Sequence, residues 1–225
     1  MIRAILFDCN GVIADDEPVH MRLFQQVLKE EGITLTKEEY FCKYLAMDDR
    51  SCFTQALKSA GKKFSVDLVP QLIDRKAQYY QKAIEQDLRI FPGISQFVQN
   101  HARDYALAVV SGALRNEIKQ ILSYAKIQKH FAAIISAEDV SFGKPDPEGY
   151  RKGVKILAQL PVFKDQPLQA KECVAIEDSI HGVDAAHGAG VRCIAITNSY
   201  PAQQLKHADL VVSTIENLDL RTIKF

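Results

Sequence analysis

Residues 1–20 read MIRAILFDCNGVIADDEPVH, and the fold turns on how residues 2–11 of that stretch are understood. Residues 2–7 are a short apolar run rich in strand formers, stopping at Asp8 and Gly11. A buried strand entering a turn has this form. The form returns far downstream: residues 105–110 (YALAVV) stop at Ser111-Gly112, 132–135 at Ser136, 173–176 at Glu177-Asp178, and 191–196 at Thr197-Asn198. Helix-like segments lie between these runs, at residues 114–124, 147–158 and 180–189. Strand alternating with helix predicts parallel strands joined by crossovers, hence an α/β protein whose open sheet carries helices on both faces.

The region from Pro18 to about residue 86 reads differently. VHMRLFQQVLKEEG, closing at Gly32, and LVPQLIDRKAQYYQKAIEQ place apolar residues at helical spacing, and no convincing strand interrupts them. A helical insertion after the first strand is the simplest arrangement. The expected core is residues 1–15 with 90–225, the expected helical cap is residues 16–89, and the hinges fall near Ala14-Asp15 and Phe91-Pro92-Gly93. No internal repeat or low-complexity segment is visible.

Composition narrows the function classes. The chain has 225 residues, nearly half of them hydrophobic, which suffices for one sizeable core or a core and a smaller domain. Its 28 basic and 28 acidic residues cancel, so nothing draws it in bulk to nucleic acid or anionic lipid. The five cysteines (Cys9, Cys42, Cys52, Cys173, Cys193) are odd in number and widely spaced, with no C-x-x-C pair. That pattern fits reduced thiols, mostly small core residues, better than a disulfide framework or a zinc site. The amino terminus lacks the features of a signal peptide, and no apolar run approaches the roughly 20 residues that span a bilayer. The chain reads as soluble and cytoplasmic.

In an open parallel sheet, ligands sit beyond the carboxyl ends of the strands, so side chains there converge from distant parts of the sequence. Those ends supply Asp8 and Asn10, Ser111, Lys144 just beyond the third strand, and Glu177 with Asp178. Carboxylates for a hard cation, a hydroxyl and turn amides for oxygen atoms, and a lysine for negative charge together suggest a polyanion site. Each residue also has a plainer explanation when taken singly. Asp8 fits a turn, Ser111-Gly112 a helix start, Lys144 an exposed lysine before proline, and Glu177-Asp178 the acidic start of a helix.

The ordered set resembles the haloacid dehalogenase superfamily, and within it the β-phosphoglucomutase-like branch of phosphatases and mutases. FDCNGVIAD is similar to the nucleophile motif, VVSG to the second motif, FGKPDPEGY to the lysine motif and VAIEDSIHGVDAAHGAG to the acidic motif. The last carries the specific pattern ED-S-x-x-G-V-x-A-A-x-x-A-G, and DDEPVH resembles the segment after the nucleophile. The resemblance spans nearly the whole chain. It implies a Rossmann-like doubly wound parallel sheet with a helical cap inserted after the first strand.

The resemblance further implies that Asp8 is a nucleophile forming an aspartyl-phosphate, which divides one difficult displacement into two steps. It implies Mg²⁺ as cofactor, held by Asp8, the carbonyl of Asn10 and Asp178, with Glu177 acting directly or through water. Ser111, with Gly112, and Lys144 would hold the transferring phosphoryl group. His20, Arg50 and Lys76 match the substrate-side positions of such caps, although single basic residues on helices are commonly solvated surface groups. The implied partner is a small phosphorylated metabolite, with no nucleic acid and no membrane; neither its identity nor the oligomeric state is legible.

One position departs from the pattern. Where the family carries a second aspartate two residues after the nucleophile, acting as acid and then base, this chain has Asn10. An amide preserves shape and the backbone carbonyl but cannot transfer the proton, a contribution of about 10²–10⁴ in rate. Slowed turnover with phosphate binding retained is the expectation. A substitution introduced to trap a ligand and a natural divergence both account for Asn10, and the completeness of the other motifs favours the former. Phosphatase is the preferred activity and sugar phosphomutase the runner-up. A phosphate-ligand binding protein without catalysis is the reading from another class.

Overall fold

Six strands form one parallel sheet in the computed structural model, which describes residues 1–45, 47–216 and 218–223. The strands are β1 (Ala4–Phe7), β2 (Ala106–Val110), β3 (Ala133–Ile135), β4 (Cys173–Glu177), β5 (Arg192–Ile196) and β6 (Leu210–Val212), in the order β3-β2-β1-β4-β5-β6. β1 and β4 are buried along their whole length, as strands covered on both faces must be, and this explains the apolar runs 4–7 and 173–176. Five of the six strands are the runs expected from sequence. The sixth, LVV, was not anticipated: it is three residues long and only half-buried, too short for a periodic signal.

Eight α-helices complete the fold among the described residues. The first four are α1 (Glu17–Glu30), the single turn α2 (Lys37–Glu39), α3 (Asp49–Ser59) and α4 (Leu68–Asp87). The others are α5 (Ile94–His101), α6 (Arg115–Tyr124), α7 (Glu148–Leu157) and α8 (Ile180–Gly188). The chain separates into two compact units, residues 1–14 with 90–225 and residues 15–89.

In the sheet-bearing unit the two faces of β1 enter different layers. Ala4 and Leu6 join a core with Tyr150 and Leu157 of α7 and Val183 and Ala186 of α8. Phe7 points the other way, edge-on to Phe97 of α5 at 6.0 Å and to Phe131 at 5.6 Å. Alternation along one strand thus produces the doubly wound architecture.

Residues 15–89 contribute only helices among those described. α1 buries Val19, His20, Leu23, Phe24, Val27 and Leu28, a stripe at helical spacing, against α4, and α3 packs on α4 beside it. Pro18 sits in the first turn of α1, where its missing N–H costs no intrahelical bond. The Asp48 carboxylate accepts from Ser51 N at 2.9 Å and so caps the start of α3. No helix among the described residues is long and apolar enough to cross a membrane. None of the five cysteines is joined in a disulfide; Cys42 is exposed and the other four are buried.

Candidate active site at the strand ends

Strand register brings the site residues to one level. Phe7 pairs with Ile176, so Asp8 and Glu177 leave β1 and β4 side by side. Phe7 also pairs with Val109, so Ser111 leaves β2, the neighbour of β1 on its other side, at the same end of the sheet. The chain runs from β1 outward through β2 to β3, then returns to lay β4 on the other side of β1. The crevice between β1 and β4 is therefore the topological switch point, where open α/β sheets bind ligands.

Asp8 and Lys144 meet there. Lys144 Nζ lies 2.9 Å from Asp8 Oδ1 and 2.7 Å from Glu177 Oε1. Cys9 N–H donates to Asp8 Oδ1 at 2.7 Å, and the Tyr150 hydroxyl donates to Glu177 Oε1 at 2.5 Å. Burial pushes the Asp8 carboxyl up to about 6, with Lys144 opposing and Glu177 reinforcing the rise. For Lys144, burial disfavours the ammonium, but Asp8 and Glu177 outweigh it and hold the group above its ordinary value. Burial, reinforced by Glu177, also keeps the Tyr150 phenol well above its usual range, so Tyr150 serves as a donor.

Asp8, Glu177 and Asp178 can each offer an oxygen such that all three lie within 4.8 Å of one another, and all three residues are buried. Three carboxylates against the single Lys144 ammonium leave two negative charges when all ionise. A buried excess of that size calls for a counter-ion, and an all-oxygen donor set without histidine or cysteine suits a hard divalent cation. The residues present therefore fit such an ion.

Two glycines make the close packing possible. Gly11 has φ +77°, and a Cβ there would sit 1.9 Å from Asp178 Oδ2. A Cβ on Gly182, in the first turn of α8, would sit 1.9 Å from Glu177 Oε2. Ser179 caps that helix by accepting from Gly182 N at 3.0 Å. Glu177 is consequently the last residue of its strand, and Ser179 performs the capping that its acidic neighbours were able to offer.

The sheet-bearing unit thus gathers Asp8, Asn10, Ser111, Lys144, Glu177 and Asp178 at the strand ends. Asn10 Oδ1 lies 3.5 Å from Ser111 Oγ, near contact but too long for a strong O–H···O bond. Ser111 Oγ also accepts from Ala113 N at 3.2 Å, across the turn that holds Gly112. The other candidates lie in the helical unit. Lys76 is fully buried, with Nζ 2.7 Å from Asp49 Oδ1 and 2.8 Å from His20 Nδ1. His20 Nε2 lies 3.2 Å from Asp16 Oδ2, and Arg50 is exposed on the first turn of α3. Sequence reading missed Asn198 and Ser199 beyond β5. Asn198 Nδ2 donates to Gly11 O at 2.7 Å, and the Ser199 hydroxyl donates to Asp178 Oδ2. The stop of the fifth run at Thr197-Asn198 was the available signal.

A family model of haloacid dehalogenase-like hydrolases matches residues 5–196. The chain belongs to this family. Within it, the chain is 26% identical over 221 residues to a phosphoglycolate phosphatase of Yersinia pestis, covering 96% of this chain and 91% of that one. A β-phosphoglucomutase of Clostridium difficile superposes with a TM-score of 0.84 at 25% identity, covering 98% of this chain and 95% of that chain. An aspartate-to-asparagine mutant of CbbY from Rhodobacter sphaeroides, in complex with xylulose-(1,5)-bisphosphate, has the same fold. Its TM-score is 0.82 at 24% identity, covering 97% of this chain and 96% of that one. These relatives fit the β-phosphoglucomutase-like branch.

Proposed function

We propose that the protein is a Mg²⁺-dependent phosphatase of a small phosphomonoester, a sugar phosphate by class, with turnover slowed by Asn10. The observation that carries this reading is Asp8 at the switch point, 2.9 Å from Lys144 and joined by Glu177 and Asp178 within 4.8 Å. Asp8, the carbonyl of Asn10, Glu177 and Asp178 are the assigned holders of the ion, which when bound supplies positive charge to the transferring phosphoryl group.

With Asp8 Oδ1 engaged by Cys9 N–H and Lys144, Oδ2 is the oxygen assigned to attack. It forms a bond to phosphorus while the bond from phosphorus to the leaving oxygen breaks. Water then attacks the aspartyl-phosphate, releasing inorganic phosphate and restoring the carboxylate. Ser111, with the Gly112 turn, and Lys144 hold the phosphoryl oxygens. The leaving oxygen needs a proton and the attacking water must lose one. Asn10 can hydrogen-bond to either but exchange a proton with neither.

Leaving-group selection is assigned to the helical cap through His20, Arg50 and Lys76. Arg50's exposure at the start of α3 supports this. His20 and Lys76 are held by each other and by Asp16 and Asp49, so they would offer a fixed hydrogen-bonding edge.

The test is Asn10→Asp assayed with Mg²⁺ against a panel of phosphomonoesters. A rise in kcat of about 10²–10⁴ over the present chain is expected. A folded Asn10→Asp protein at background on the whole panel overturns the enzyme reading in favour of a binding protein. The likeness to β-phosphoglucomutase favours a second reading, sugar phosphomutase. In that case ³¹P NMR would register an isomerised sugar phosphate in place of inorganic phosphate.

A further inference from the structure

We infer that Asn198 and Ser199 are positioning residues of the site, a bracket from the end of β5 that ties the nucleophile turn to the acidic strand end; this rests on the proposed phosphoryl-transfer reading. The loop carrying them is anchored at both ends. Thr197 N–H donates to Val212 O at 3.0 Å, prolonging the pairing of β5 with β6, and Tyr200 packs on the core below. Between those anchors, two consecutive side chains reach two different parts of the site.

The first part is the turn after Asp8. Ile13 N and Ala14 N both donate to Cys9 O, at 2.7 and 3.0 Å, and Gly11 N donates to Ala14 O at 2.8 Å. These turn bonds do not use the Gly11 carbonyl, and Asn198 Nδ2 donates to it across 187 residues of sequence. The second part is Asp178. Its Oδ2 lies so close to Gly11 that no Cβ fits there, and it also receives the Ser199 hydroxyl. The same carboxylate oxygen and the same glycine are therefore gripped by neighbouring residues of one loop.

Partners of this kind behind a ligating carboxylate fix its rotation, and their removal typically weakens metal affinity or activity about 10–100-fold. Ser199 accordingly orients Asp178 toward the ion, and Asn198 holds the turn that carries Asp8. Neither contributes a charge or a proton, so neither is a catalytic residue.

The experiment is a calorimetric titration of Mg²⁺ alone into the present chain and into Ser199→Ala and Ser199→Thr. The thermal midpoint of the metal-free proteins is followed in parallel. Ser199→Ala should bind Mg²⁺ about tenfold more weakly with little change in the metal-free midpoint, while Ser199→Thr, which retains the hydroxyl, stays near the parent. Equal Mg²⁺ affinity in parent and Ser199→Ala overturns the bracket. So does an equal weakening in Ser199→Thr and Ser199→Ala. If Ser199→Ala does not fold, Ser199→Cys keeps the volume without a strong donor and takes its place. In the Asn10→Asp background, Asn198→Ala should lower kcat while KM stays within about twofold, because a loosened nucleophile turn impairs attack more than binding. A raised KM with unchanged kcat overturns that half of the bracket. Failure of the parent and of Asn10→Asp to bind Mg²⁺ would instead strike at the function proposed above. A loss confined to Ser199→Ala upholds both.

Discussion

Two lysines in this molecule, Lys76 buried and Lys144 half-buried, are surrounded by acids, and they are not equivalent. In the helical unit, Lys76 pairs with Asp49 and His20, Asp16 takes the Tyr80 hydroxyl and His20 Nε2, and Glu17 takes the Tyr40 hydroxyl at 2.5 Å. Every carboxylate there has a donor from the same unit. At the strand ends Lys144 is shared between Asp8 and Glu177, and Asp178 beside them receives the Ser199 hydroxyl. Asp16, Glu17 and Asp49 also outnumber Lys76, but each of the three is tied to a donor from another part of the unit. Among the described residues, three carboxylate oxygens converge within 4.8 Å only at the strand ends, so the same chemistry that holds helices together in one place builds a ligand site in the other.

Lysine removal with and without Mg²⁺ exposes the contrast most strongly. Taking away one partner of a buried charged pair costs about 3–5 kcal/mol, so metal-free Lys144→Ala and Lys76→Met should both unfold at markedly lower denaturant. At one common Mg²⁺ concentration, set at the parent's Kd, Lys144→Ala should then regain more stability than the parent gains, because the ion replaces the missing charge; a Kd a hundredfold below that concentration returns about 2.7 kcal/mol. It should return nothing to Lys76→Met beyond what it gives the parent. Urea melts of both variants with and without Mg²⁺ check this, and equal rescue of the two would erase the distinction.

A smaller effect separates two glycines. Gly11 and Gly32 have nearly the same backbone, φ +77° and +74°, but a Cβ at Gly32 meets nothing within 4 Å, whereas at Gly11 it meets Asp178. Gly32→Ala should cost only the left-handed conformation, about 1–2 kcal/mol. Gly11→Ala should cost more and also weaken Mg²⁺ binding, since Asp178 must move. Paired melts and Mg²⁺ titrations measure both. An unchanged Mg²⁺ affinity in Gly11→Ala would show that Asp178 has more room to move than its contacts imply.

These contrasts also mark what the sequence could reveal. β1, β2, β4 and β5 were legible because strands buried on both faces need unbroken apolar runs, and Asp8, Ser111 and Glu177 because such runs end abruptly in polar residues. β6 and α5 were not, since a three-residue edge strand and an eight-residue helix after Pro92-Gly93 carry too few positions to display a period. The steric demands on Gly11 and Gly182 were hidden because they concern atoms of other strands. The same holds for Asn198 and Ser199, whose partners lie 187 and 21 positions away. The burial of Lys76 was hidden because Asp49 and His20, its partners, are 27 and 56 positions distant. Local pattern reveals where a strand ends; what meets there depends on topology.

The finest test lies in the helical unit, at Glu17. Burial raises its carboxyl above the ordinary glutamate value, while His20, the Tyr40 hydroxyl and Lys76 pull it down and Asp16 pushes it up; burial prevails. The folded protein therefore holds this proton more tightly than the unfolded chain. As pH rises from about 4.5 through the folded value, the unfolded state sheds the proton first, so the slope of stability with pH is negative there. Above that interval the loss is complete and constant. Glu17→Gln removes the titration but keeps an oxygen for the Tyr40 hydroxyl. Subtracting the parent's stability from the variant's should give a curve that rises with pH across the interval and then levels, a smaller gain than either loss above. The subtraction cancels every titration that is independent of Glu17. A flat difference curve would mean that the helix start and its basic neighbours stabilise the charged form as fully as water does, making Glu17 a balanced member of its network.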